Sequence, residues 1–103
     1  MAQFDVYENQ NSRTNKFIPY LLDVQTELLD ELQTRVVVPL SLNNNQKPIS
    51  GLIPLLNINS SSYLMLTPQL AGINKKELGS AIANLTSARQ DIINALDFLL
   101  TGV

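Results

Sequence analysis

The stretch "RVVVPL", Arg35 to Leu40, limits the possible folds more than any other part of this chain. Three consecutive valines are stiff at χ1 and favour extended backbone. Side chains alternate sides along a strand, so an unbroken apolar run predicts a strand buried on both faces. The closing segment, "SARQDIINALDFLLTGV", supplies the other firm element. Ser87 with Gln90 three residues later reads as a capping box, and no Gly or Pro intervenes until Gly102, where a helix stop belongs. At about 100° per residue, Ile92, Ile93, Leu96, Leu99 and Leu100 fall on one stripe roughly 120° wide, the face of a helix packed on a core. The expected class is mainly β with a C-terminal α-helix.

Shorter strands precede and follow the valines. "QFDVY" alternates Phe4 and Val6 against Gln3 and Asp5, and "FIPYLLDVQ" sets Ile18, Tyr20, Leu22 and Val24 on one face. Pro19 marks an edge or bulge, because it has no N–H for a ladder. "TELLDELQTR", Thr26 to Arg35, fits a two-turn helix and a turn equally. "LIPLLNI" and "YLMLT" flank the polar "NSSS", Asn59 to Ser62, as a hairpin. "AGINKKELG", Ala71 to Gly79, reads as an irregular link or a short sixth strand. Asn9 to Asn15 and the asparagine-rich stretch after Leu42 are polar loops.

With 103 residues, 45% of them hydrophobic and 16% charged, the chain is sized for one core, and a single domain over residues 1–103 is expected. There is no cysteine to build disulfides or thiolate metal sites. "MAQFDVYENQ" has neither region of a signal peptide, and no apolar run approaches the roughly 20 residues of a membrane span, so a cytoplasmic location without membrane contact is expected. Seven Lys and Arg stand against nine Asp and Glu, with pI about 4.8, which argues against a direct grip on nucleic acid.

Catalytic groupings are weak. No histidine is present, which removes the commonest proton shuttle near neutrality. Glu27 with Asp30 or Glu31, and Asp91 with Asp97, read as solvated charge because nothing in their spacing makes them converge. Lys75 with Lys76, and Arg13 with Lys16, lack any phosphate-cradling motif around them. Arg89 falls near the apolar stripe of the helix, where an arginine needs a carboxylate partner, and a structural salt bridge is expected there. No catalytic residue, cofactor or metal is expected. Phe98 projects opposite the stripe, between Asp91 and Asn94, and calls for a second surface in a dimer or partner.

Taken together, "QFDVY", "LLDVQTELLDELQTRVVVPL", "YLMLTPQLAG" and "RQDIINALDFLLTGV" resemble, in order from Gln3 to Val103, the CcdB family of bacterial toxins. The anchors are "DVQ", "R-x-V-x-P-L" and the terminal glycine followed by an aliphatic residue. The resemblance implies a small SH3-like antiparallel β-barrel with a C-terminal helix, paired as a homodimer. It also implies a toxin without catalysis, which binds the GyrA subunit of DNA gyrase, traps the cleaved-DNA complex, and is neutralised by a CcdA-like antitoxin. Nucleic acid is then met only through gyrase or the antitoxin complex.

By the same resemblance the gyrase-binding residues are Leu28, Leu29, Asp97, Leu100, Thr101, Gly102 and Val103, and the dimer contacts are Phe98, Leu100 and Val103. The antitoxin is expected on the Asn9–Asn15 and Asn43–Lys47 loops. One departure stands out: plasmid-borne members resemble "WGI" at the end, where this chain has "TGV" and no tryptophan anywhere. Two alternatives remain, a degenerate homologue that keeps antitoxin binding without toxicity, and a MazF-like ribonuclease toxin on the same barrel.

Overall fold

A computed structural model describes residues 2–42 and 47–102. The valine run lies in the longest strand. β1 (Asp5–Asn9), β2 (Tyr20–Asp23), β3 (Thr34–Leu42), β4 (Leu55–Ile58), β5 (Ser61–Met65), β6 (Ala71–Asn74) and β7 (Leu78–Asn84) form one antiparallel sheet, curled into a half-barrel and followed by helix α1 (Arg89–Thr101). The strand order is β4-β5-β3-β2-β1-β7. β3 organises it by splitting one of its edges: Thr34 to Val37 pair with β6, and Leu40 to Leu42 pair with β5. Its other edge pairs with β2, with Leu22 opposite Val38 and Asp23 opposite Val37.

Both faces of β3 are buried, as the valines require. Val38 and Leu40 join Phe4, Val6, Leu22, Leu56 and Met65 under Ile92 and Ala95 of α1. Val37 points the other way into a smaller cluster with Tyr7 and Leu78, packed by Leu21 and Ile73.

Four expectations need correction. β7 lies where the sequence pattern predicts no strand beyond Gly79; it pairs with β1 through two register shifts, which break the period-2 pattern. The capping box is not formed: Thr86 to Ala88 make a 3-10 turn whose first N–H is taken by the Asn84 side chain (2.9 Å), and α1 begins at Arg89 without a side-chain cap. Arg89 is exposed with its guanidinium 6.0 Å from the Phe4 ring centroid, and among the described residues no ion pair to it is seen. Leu100 leaves the core stripe for solvent, and Ala95 is buried in that stripe instead. Phe4 is buried as expected but precedes the strand at φ 71°, fixed by its N–H to Asp23 O (2.7 Å) and by Leu85 N–H to its own carbonyl (2.8 Å).

Candidate functional site

Two exposed apolar features carry the residues singled out from the sequence. The first is the segment Thr26 to Arg35, where the choice between helix and turn resolves to a 3-10 turn, Glu27–Leu29, followed by bends into β3. Thr26 caps it, its Oγ1 accepting Leu28 N–H at 3.3 Å. None of the three turn residues is buried: Leu28 is 91% exposed and Leu29 47%. A fully exposed leucine on a short turn is not placed there by packing, so polar contacts must hold it.

Those contacts come from a buried ion pair. Arg35 and Asp23 are both fully buried, and the guanidinium donates in fork fashion from Nε to Asp23 Oδ2 (2.8 Å) and from Nη2 to Asp23 Oδ1 (2.9 Å). Nη2 also donates to the Gln25 carbonyl (3.0 Å), and Nη1 lies 3.5 Å from Asp30 Oδ1. Lys75 donates from Nζ to the Asp30 carbonyl and lies 3.7 Å from its carboxylate. Two parallel bonds to one carboxylate are the strong geometry for this pair. Leaving either ion buried alone would cost about 3–5 kcal/mol. The "DVQ" and "R-x-V-x-P-L" segments are therefore adjacent strands locked by their first residues. The sequence reading placed the buried arginine at position 89; the available signal was Arg35 at i−2 from Val37 on the same face of a two-sided buried strand.

The second feature is the end of α1. Gly102 adopts φ +76°, ψ 16° and donates its N–H to Phe98 O at 3.0 Å, a left-handed helix stop that glycine enters without Cβ strain. Leu100 is 71% exposed, and Asp97, Thr101 and Gly102 are exposed as well. Thr101 Oγ1 turns back to donate to Asp97 O (2.7 Å). Phe98 is 45% exposed, and part of its second surface lies within its own chain: a Cβ built on Gly51 would fall 3.2 Å from the ring. Gly51, at φ +79°, is the tip of a small turn in which Ile49 and Ile53 exchange backbone bonds of 3.2 and 2.8 Å. Val103, expected in both the gyrase and dimer contacts, lies outside the described residues, as do Asn43 to Gln46 of the second expected antitoxin loop.

No hydrogen bond or ion pair among the described residues joins the Leu28–Leu29 turn to the end of α1. A third feature lies on the face of the smaller cluster. There the Asn9–Asn15 loop, with Asn9 Nδ2 donating to Thr14 Oγ1 (2.9 Å) and Ile18 O (2.8 Å), borders a groove of about 540 Å³ floored by Leu21, Pro39 and Ile73. Among the described residues no group of three or more His, Cys, Asp or Glu could hold a metal ion, and no helix is long and apolar enough to cross a membrane.

The family model described as CcdB protein matches residues 3–102. The chain belongs to the CcdB family. The match takes in β1 through Gly102 and so includes both exposed apolar features. CcdB membership supports a toxin of a toxin–antitoxin system.

Proposed function

We propose that this CcdB-family chain is a cytoplasmic gyrase poison of a type II toxin–antitoxin pair. It pairs as a homodimer, binds the GyrA subunit through Leu28, Leu29, Asp97, Leu100, Thr101, Gly102 and Val103, and traps the cleaved gyrase–DNA complex by occupancy alone. One domain carries the whole activity. The observation that most supports this reading is the end of α1: an ordered helix closes on a left-handed glycine while presenting Leu100 to solvent at its last turn. Apolar side chains held out from a rigid element suit a partner surface and serve no purpose in the core. Under two-fold symmetry, Phe98, Leu100 and Val103 of one protomer would face their own copies, doubling the patch. A CcdA-like antitoxin segment would dock at the Asn9–Asn15 and Asn43–Lys47 loops, folding as it binds.

Removing Thr101 to Val103 tests the assignment. The truncated protein should melt within a few degrees of the parent, since Thr101 and Gly102 are exposed and the last residues of a chain contribute little stability, and should no longer trap cleaved DNA with purified gyrase. A truncated chain that still traps cleaved DNA would move the activity to another surface.

A second reading, a retired toxin that still binds its antitoxin, is favoured by one observation. The Thr101 hydroxyl is bonded to its own helix, and threonine offers no stacking face at the position where, by the resemblance, plasmid-borne members carry a tryptophan. Binding of an antitoxin peptide without any trapping of cleaved DNA would select it.

A further inference from the structure

The Leu28–Leu29 turn has no buried residue to anchor it; Arg35 and Lys75 hold Asp30 just after it, and the side chain of Gln25 reaches the turn itself at Leu29 O. All four polar groups of Gln25 are engaged. Its N–H donates to Asp23 Oδ1 (3.0 Å), its carbonyl accepts from Arg35 Nη2 (3.0 Å), its Oε1 accepts Val36 N–H (3.0 Å), and its Nε2 donates to Leu29 O (3.2 Å). The backbone ladder between these strands has its last rung at Val24 N–H to Val36 O (3.0 Å). Beyond that rung the amide of Gln25 bridges from the β3 backbone at Val36 to the turn carbonyl at Leu29. The ion pair beneath it fixes the main chain of Gln25, so the amide reaches Leu29 from a rigid base.

We infer that Gln25 is a positioning residue: its side-chain amide fixes the direction in which Leu28 and Leu29 project, and Arg35 with Asp23 fixes Gln25. The inference rests on the proposal that these leucines contact GyrA. A leucine held in one orientation meets its partner without the ordering cost that a frayed turn would add on binding. An amide is needed because only a group with one acceptor and one donor can take an N–H at one end and give an N–H to a carbonyl at the other.

Two variants separate positioning from plain stability. Gln25→Glu keeps an oxygen for Val36 N–H but sets a second acceptor against Leu29 O; Gln25→Met removes both bonds. Hydrogen exchange by NMR reads the turn directly through Asp30 N–H, bonded to Glu27 O, and Leu32 N–H, bonded to Leu29 O. In Gln25→Glu these two amides should exchange roughly tenfold faster, the loss of about one hydrogen bond, while Val36 and Val38 stay within about twofold of the parent. Affinity for a GyrA fragment should fall by a similar factor. Gln25→Met should speed exchange at Val36 as well. Leu28→Ala, which removes a contact and leaves the clamp, should lose affinity with exchange unchanged. Unchanged exchange at Asp30 and Leu32 in Gln25→Glu overturns the inference, and so does faster exchange with unaltered GyrA affinity. If the parent chain itself fails to bind GyrA, the gyrase reading falls, and the exchange arm alone decides whether Gln25 holds the turn.

Discussion

Tyr7 shows how a single buried side chain couples the stability of the fold to pH. Its hydroxyl donates to Asp5 Oδ2 at 3.2 Å. Burial above all, then the Asp5 carboxylate as charge and as acceptor, then Asp23, push the phenol up to about 12, with Arg35 acting in the opposite sense. A raised folded value means that the folded chain keeps a proton the unfolded chain releases. The stabilisation is therefore complete below the ordinary tyrosine value near 10 and is lost as pH rises from there through about 12. Urea midpoints should fall across that window, and Tyr7→Phe should fall less steeply; parallel slopes would show that Tyr7 is not the group responsible. At the helix end, Thr101→Trp frees the Asp97 carbonyl from its side-chain bond and adds a stacking face. A cation–π contact is worth about 0.5–2 kcal/mol, so affinity for a GyrA fragment, measured by calorimetry, should rise up to roughly tenfold or somewhat more. At this scale the sequence was least legible. Arg35 and Arg89 both sit beside apolar residues in the one-dimensional pattern; the pairing of β2 with β3 brings Asp23 within reach of the first, while the second is exposed at the start of α1.

Elements were easier to read where local chemistry and tertiary demand agree. The valine run of β3, the alternation in β2 and the polar break between β4 and β5 each named their structure in advance. The hairpin turn is tighter than the "NSSS" segment suggested: Ile58 pairs with Ser61, leaving Asn59 (φ 50°) and Ser60 (φ 71°) as the two central residues. Positive φ at both centres is what a two-residue hairpin of matching twist requires, and Asn followed by Gly fits it best. Ser60→Gly should therefore stabilise the protein by about 0.5–1 kcal/mol, read as a higher thermal midpoint, because the left-handed strain of a Cβ is relieved. β7 was hidden for a corresponding reason. Its run "LGSAIAN" is small and unalternating because it lies close against β1: a Cβ at Gly79 would come within 2.9 Å of the Glu8 carbonyl. What selects strand there is the neighbour, and no window of sequence contains it. The capping box failed for want of context as well, since Asn84 captures the first N–H of the preceding 3-10 turn and the helix starts two residues beyond Ser87.

Across the whole molecule, a sheet curled around one face and followed by a single helix leaves several large apolar side chains in solvent. Leu28, Ile49, Leu55, Phe98 and Leu100 are all exposed. A stable two-fold pair would cover part of that apolar surface, and sedimentation at micromolar concentration should give about twice 11.4 kDa. A species of monomer mass would remove the shared surface on which the gyrase assignment depends. The class, mainly β with a closing helix, was readable because strand and helix periods differ sharply, although β7 was not; nor was the contact between the Gly51 turn and the helix. There the ring of Phe98 lies over Gly51, 47 positions away along the chain, in a space that admits no larger residue at 51 without movement. The two sites are thus a suppressor pair waiting to be isolated. An alanine allele at 51 carries two faults, crowding against the ring and a left-handed φ that costs about 1 kcal/mol. A second-site Phe98→Leu cures the first and cannot cure the second. Revertants of Gly51→Ala should accordingly include changes at 98 that restore part of the lost melting temperature and never all of it, while purely additive effects in the double mutant would mean that the contact carries no coupling.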